Sequence, residues 1–278
     1  MASLIANILV FTVIATGHHI HTPMYFFLMN LSIIDIGSIS ITLPKAMANS
    51  FLNTRLISYY ECAAQVFFLF FFLSSEWILL TIMAYDRYAA ICDPLNYGRV
   101  MNRRFCFQMA MSAWIGGLLY GIVNVTSTFL ITFCSRVINQ FFCEVPHLLR
   151  LSCSNLYLIE IGVLIVASCI CTCCLGFIAA SYVYIFRTVL GITSVEGNST
   201  CIPHLIVVSL FLTVGMIAHL KPASSSPSNW DLALSLMYTV VPPTLNPIIY
   251  TIRNKEIKAE ISKVIYWAVH VNRKMAVF

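Results

Sequence analysis

A chain of 278 residues in which 59% are hydrophobic and only 10% charged cannot coat a water-facing globule, for which roughly 45–50% and 25% are usual. Disorder is excluded by the same numbers, because it needs low hydrophobicity and high charge. What remains is an integral membrane protein, and its net charge of +5 needs no nucleic acid: membrane lipid that is anionic at the inner leaflet accounts for it.

A membrane-crossing helix needs about 20 largely apolar residues. In chain order such stretches cover residues 2–17, 24–48, 59–91, 105–131, 157–190, 200–220 and 231–252. The expected fold is an all-α membrane protein, a seven-transmembrane helix bundle forming one domain over residues 1–278. The first stretch begins abruptly and lacks the basic n-region and cleavage site of a signal peptide. After the last, residues 253–268 place Ile257, Ile261, Val264 and Ile265 at helical spacing among Lys and Glu. That pattern suits a short amphipathic helix on the membrane surface. Basic residues concentrate on one side, at Arg87, Arg99, Arg103, Arg104, Arg187, Arg253, Lys255, Lys258, Lys263, Arg273 and Lys274. The positive-inside rule then sets the N-terminus outside and the C-terminus in the cytoplasm.

Between the fourth and fifth stretches a long outer loop carries Cys134, Cys143 and Cys153, and Cys62 opens the third stretch on the same side. An oxidising compartment favours disulfides there, with all pairings open. Cys169, Cys171, Cys173 and Cys174 look like a metal cluster, but helix positions two apart point away from each other, so these four cannot converge on one ion. They read as packing residues.

Two acidic side chains, Asp35 and Glu76, sit midway along the second and third stretches. Facing carboxylates in lipid need a cation or a shared proton. The residues therefore suggest a small cation site, sodium being the expected ion, or a protonated hydrogen bond.

At the inner end of the third stretch the chain reads Met83-Ala84-Tyr85-Asp86-Arg87-Tyr88-Ala89-Ala90-Ile91-Cys92-Asp93-Pro94-Leu95-Asn96-Tyr97. This run closely resembles the MAYDRYVAICxPLxY signature of olfactory receptors, in the rhodopsin-like class of G-protein-coupled receptors. Other segments resemble the same family in the right order: His21 to Leu28, Pro44 to Met47, Ser181-Tyr182, Thr200-Cys201 with His204-Leu205, and Leu245 to Tyr250 with Arg253 to Glu256. Thr22 points to its tetrapod-type class.

The resemblance implies a receptor, not an enzyme, at the plasma membrane. Its partners would be a small volatile odorant, a heterotrimeric stimulatory G protein that raises cyclic AMP, and a receptor-trafficking chaperone. Arg87, followed by Tyr88, would be the switch, held by Asp86 at rest. Tyr182 and Tyr250 would swing towards it, and His204 of the sixth helix would belong to the same switch and coupling set. Asn246 and Pro247 would supply a hinge, since Pro has no N–H to donate. Cys62 would pair with Cys143 and Cys134 with Cys153, and Asp35 with Glu76 would form the sodium-linked site.

For the ligand, Leu69, Phe70, Leu73 and Ser74 share one helical face, and Leu73 lies roughly 21 Å of helix outward of Arg87. By analogy Val166, Ala167 and Ile170 join them from the fifth helix, Gly215, Met216 and His219 from the sixth, and Tyr238 from the seventh. Such a lining suits a small hydrophobic molecule anchored by one hydrogen bond from Ser74 or His219. Leu69 stands where aminergic receptors have an acid, which disfavours amines.

Three departures from the family pattern suggest an alternative, a receptor-like protein that folds but traffics or couples poorly. No outer N-terminal tail with a glycosylation sequon precedes the first helix. Ala6-Asn7 stands where the family has Gly-Asn. The third inner loop is shortened around Glu196-Gly197, with Pro203, expected in the first turn of the sixth helix where Pro is tolerated, replacing a Ser. A transporter would need inverted repeats or a polar path, and Asp35, Glu76 and Asn246-Pro247 do not make one.

Overall fold

The computed structural model describes residues 2–17, 22–51, 56–130, 138–139, 143, 157–191, 196–220, 229–254, 256–264 and 266. Its described side chains exclude those of 42–51, 56, 138–139, 157, 160, 190–191, 196–200, 214–220, 229–238 and 252–253. Within these limits the apolar stretches are helical: α1 (Ala2–Thr16), α2 (Pro23–Phe51), α3 (Tyr59–Cys92), α4 (Tyr97–Val100), α5 (Arg103–Phe129), α6 (Tyr157–Gly191), α7 (Glu196–Leu220) and α8 (Asn229–Arg253). A further helix, α9, runs over 256–264. Among the described residues, Pro23–Ile41, Tyr59–Cys92, Arg103–Phe129 and Ile161–Val189 are long and apolar enough to cross a membrane, and Ala2–Thr16 and Cys201–Thr213 are shorter apolar helices.

Local chemistry fixes several helix ends. Ser58 accepts from the Glu61 N–H while the Glu61 carboxylate accepts from the Ser58 N–H, a capping box that opens α3. Asn102 caps α5 by accepting from the Phe105 N–H at 2.9 Å. One expectation is corrected here. α7 starts at Glu196 rather than near residue 200, so Pro203 lies inside the helix, not in its first turn. By covalent chemistry it can give no hydrogen bond to the Ser199 carbonyl one turn back.

The fold is not purely helical. β1 (Leu56–Ile57) pairs antiparallel with β2 (Ile138–Asn139), Leu56 opposite Asn139 and Ile57 opposite Ile138. Beside this pair Cys62 is disulfide-bonded to Cys143, and the Cys143 N–H donates to Gln65 Oε1 at 3.3 Å. Ile57, Val66 and the disulfide form a small apolar cluster with Phe70 and Phe129 against it.

The main core runs through α1, α2, α3, α5, α6, α7, α8 and α9, with Phe27, Ile34, Leu79, Leu80, Ile185 and Ile257 fully enclosed. α3 is its axis, and α5 approaches it through glycine. A Cβ at Gly117 would stand 1.9 Å from Ser75 Oγ and 2.6 Å from the Phe71 carbonyl oxygen. Small residues at such contacts let helix backbones close in lipid, where there is no hydrophobic drive between helices. α6 differs: more than a third of each of Leu164, Ile165, Val166, Ile170 and Phe177 is exposed, the face that lipid would cover.

Candidate functional site

Two polar constellations lie along α3. The middle one joins α2, α3 and α8. Asn246 Nδ2 donates to Asp35 at 3.2 Å and 3.3 Å and to Glu76 Oε1 at 2.9 Å, and all three residues are buried. One amide thus serves two carboxylates, while Asn246 Oδ1 is buried without a partner. Two anions enclosed together repel strongly, so burying both costs least with a shared proton or a cation between them. Two carboxylates and an orphaned amide oxygen are hard oxygen donors of the kind that suits a small cation. Among the described residues no group of three or more His, Cys, Asp or Glu side chains is placed to hold a metal.

The seventh helix was expected to break at Asn246-Pro247, but α8 runs helical through that point with Pro242, Pro243 and Pro247 inside it. Pro247 leaves the Pro243 carbonyl without its helical donor. Asn7 Nδ2 at 2.8 Å and Ser3 Oγ at 3.1 Å donate to that carbonyl instead. The proline therefore links α8 to α1.

The second constellation gathers the residues expected to form the switch. Arg87 pairs with Asp86 Oδ2 at 3.5 Å, both largely buried. Tyr97, on α4, donates its hydroxyl to Asp86 Oδ1 at 2.8 Å. Burial, reinforced by the Asp86 carboxylate, pushes the Tyr97 phenol above its usual range, so it stays a donor at any physiological pH. Asp86 is thereby held from two sides.

Tyr182 and His204 are both buried and joined at 2.7 Å between the hydroxyl and Nδ1. His204 Nε2 lies 2.9 Å from the Leu80 carbonyl oxygen, which can only accept. Nε2 therefore carries the hydrogen, and Nδ1 of the neutral ring accepts from Tyr182. The bond ties α6, α7 and the α3 backbone together. Tyr250 is also buried, its hydroxyl without a partner. Tyr88 turns away from this group and meets Tyr184 of α6 edge-on, ring centres 6.1 Å apart.

The outer residues come together less. Leu69 is buried, and Leu73 and Ser74 are half-buried. The Ser74 hydroxyl donates to the Phe70 carbonyl of its own helix. Phe70 packs edge-on against Tyr120 of α5, ring centres 5.7 Å apart. Ala167 is half-buried, whereas Val166 and Ile170 each expose more than half of their surface. Gly215, Met216, His219 and Tyr238 lie on helical backbone, and their side chains are outside the described residues. Cys134 and Cys153 also lie outside them, so only the Cys62–Cys143 bond is on view.

Several residues of these constellations carried no assigned role in the sequence. Tyr97 closes the run that begins at Met83, and its regular place there was the available signal. Leu95, two residues before it, is 97% exposed. Asn7 was visible only as the Asn of the family's Gly-Asn pair and Ser3 not at all, since their partner is a carbonyl far along the chain.

Comparison with known proteins agrees with this geometry. The sequence profile of the family described as "Olfactory receptor" matches residues 1–267. Human olfactory receptor 14A16 is 45% identical over 270 residues, covering 95% of this chain and 87% of the relative. Human olfactory receptor 14I1 is 46% identical over 263 residues, covering 93% and 85%. The more distant human olfactory receptor 10C1 is 41% identical over 264 residues, again covering 93% and 85%. A match of this extent, with buried Asp86-Arg87 on a central apolar helix, places the chain in the olfactory receptor family, odorant-sensing G-protein-coupled receptors of the membrane.

Proposed function

We propose that this chain is a plasma-membrane odorant receptor of seven crossings, N-terminus outside and C-terminus in the cytoplasm. It takes a small, mostly hydrophobic volatile into the outer half of the bundle beside Leu69, Leu73 and Ser74. Binding there shifts the inner half, and a stimulatory G protein responds by raising cyclic AMP. The observation that carries the reading is the resting state of the inner constellation. Asp86 is held by Arg87 and Tyr97, Tyr182 is engaged with His204, and the Tyr250 hydroxyl has no partner. On activation both tyrosines would turn towards the Arg87 guanidinium. Exposed Leu95 gives the inner mouth an apolar anchor for the transducer.

Asp35, Glu76 and Asn246 would hold a small cation such as sodium, which would supply charge neutralisation to the buried carboxylates. A trafficking chaperone aids delivery, and anionic lipid meets the basic inner surface. A second reading, a receptor that folds but couples weakly, is favoured by Pro203 inside α7.

The test is a cyclic-AMP reporter in cells that express the full chain with the chaperone, exposed to a panel of volatile alcohols, aldehydes, ketones and esters. A response lost in Arg87→Ala at equal surface staining supports the proposal. Surface-delivered receptor silent to every compound favours the second reading, and a response unchanged in Arg87→Ala overturns the switch.

A further inference from the structure

The junction between α8 and α9 is tied to the foot of α2 by a closed set of hydrogen bonds. Asn254 is the linking residue. Its N–H donates to the Tyr250 carbonyl at 3.1 Å, and its own carbonyl accepts from the Lys258 N–H at 3.0 Å. Its side-chain Oδ1 accepts from the N–H groups of Glu256 at 3.0 Å and Ile257 at 3.1 Å. These are donors that a helix start otherwise leaves unmet. The other end of the same amide, Nδ2, donates to the Tyr25 hydroxyl at 3.1 Å. Tyr25 in turn donates to Glu256 Oε2 at 2.6 Å. Tyr25 is 4% exposed and Ile257 0%, so the ring and the first apolar anchor of α9 both belong to the core.

The Tyr25 hydroxyl therefore closes a triangle with one corner on α2, one at the α8–α9 junction and one in the first turn of α9. Asn254, at that junction, lies one backbone hydrogen bond from Tyr250, whose buried hydroxyl has no partner among the described residues. Moving Tyr250 towards Arg87 must turn the inner end of α8. That turn pulls Asn254 against both of its side-chain contacts.

We infer that Tyr25 is a positioning residue: its hydroxyl clasps Asn254 and Glu256 so that α9 and the inner end of α8 are held in the resting arrangement, and activation requires the clasp to open. The coupling half of this inference rests on the proposed signalling function. The clasp itself does not.

Tyr25→Phe removes the hydroxyl and keeps the buried ring, so the bundle still folds. Losing a hydrogen bond of ordinary net strength speeds local opening by about five- to tenfold. Two measurements on the full-length receptor decide the matter: amide hydrogen exchange over residues 256–264 in purified receptor, and basal reporter output at equal surface expression. The expected result is exchange faster by that factor and basal output raised several-fold in Tyr25→Phe. Glu256→Ala, which leaves the Asn254 bond to the Tyr25 hydroxyl, should shift both readouts in the same direction by less, and the double variant should be no worse than Tyr25→Phe alone, because that variant already lacks the Glu256 contact.

Unchanged exchange in Tyr25→Phe overturns the inference, and so do additive effects in the double variant. Faster exchange with flat output overturns the coupling if Asp86→Asn raises output in the same cells. Faster exchange in a receptor that stays silent in every variant supports the clasp and counts against the signalling function instead.

Discussion

The two halves of α3 are built on different principles. From Glu76 to Asp86 three polar groups meet another element: Glu76 meets Asn246 of α8, Asp86 meets Tyr97, and the Leu80 carbonyl meets His204 of α7. The Thr81 hydroxyl donates back to the Trp77 carbonyl, and Trp77 Nε1 is buried without a partner among the described residues. From Tyr59 to Ser75 the helix presents mostly rings. Phe67 and Phe71 stack on each other, Phe71 meets Trp114, and the Ser74 hydroxyl folds back on its own backbone. The inner half has directional bonds whose partners can be exchanged, which is what a two-state element needs. The outer half has area without direction, suited to weak recognition of apolar molecules. The two meet where Ser75 faces Gly117, and α5 holds both halves to one axis there.

The largest effect should come from disturbing that meeting point. At Gly117 an added methyl would press on the Phe71 carbonyl oxygen at 2.6 Å, and backbone cannot rotate away. Overpacking of this sort costs about 1–3 kcal/mol. Gly117→Ala is expected to lower surface staining and thermal stability together, and Ser75→Ala should not rescue it because the carbonyl remains. Gly176→Ala on α6 is the control: nothing lies within 4 Å of its Cβ position. Equal loss in both variants, measured by fluorescence-detected thermal melting, would show that the α3–α5 approach is not what the glycine serves.

This contrast also explains how far the sequence could be read. The apolar stretches exposed the helices because membrane helices satisfy their backbones internally. The ordered run from Met83 to Tyr97 exposed the switch. Tyr182 and His204 were individually legible, but their bond was not, because it depends on how α6 and α7 rotate about their axes. The clash surface of Gly117 is a property of two helices at once. The carbonyl freed by Pro247 follows from covalent chemistry, yet its donors Asn7 and Ser3 come from the far end of the chain. Val166 and Ile170 were assigned by analogy with other receptors, and their exposure reflects the peripheral place of α6. The start of α7 was misjudged because Pro203 marks a helix start in isolation, whereas α7 continues past it towards Glu196.

A smaller effect sharpens the inner half. Tyr97→Phe deletes one of the two contacts on Asp86 and leaves the ring half-buried. The loss is about 1 kcal/mol, roughly a fivefold shift towards the active state and a matching rise in basal cyclic-AMP output. The phenol is pushed above its ordinary range, so it donates throughout the physiological window. The difference between Tyr97→Phe and the parent should therefore be the same at cytoplasmic pH 6.5 and 7.5. A difference that vanishes at either pH, read by the same reporter under imposed cytoplasmic pH, would mean that Asp86 is not held by this hydrogen bond.

The smallest expected effect tests the outer half, where Ser74 was the sequence-derived anchor. Its hydrogen is committed to the Phe70 carbonyl, so towards a ligand the hydroxyl offers lone pairs only. An alcohol odorant can donate to it, but a ketone of the same size has no hydrogen to give. Ser74→Ala should then weaken alcohols by about two- to tenfold, the range of one net hydrogen bond, and leave ketones within about twofold. Dose–response curves for a matched alcohol and ketone decide the case. If the ketone loses more than the alcohol, the hydroxyl must leave its own helix on binding. The outer half would then share the exchangeable, directional chemistry of the inner half, and the division drawn along α3 would fail.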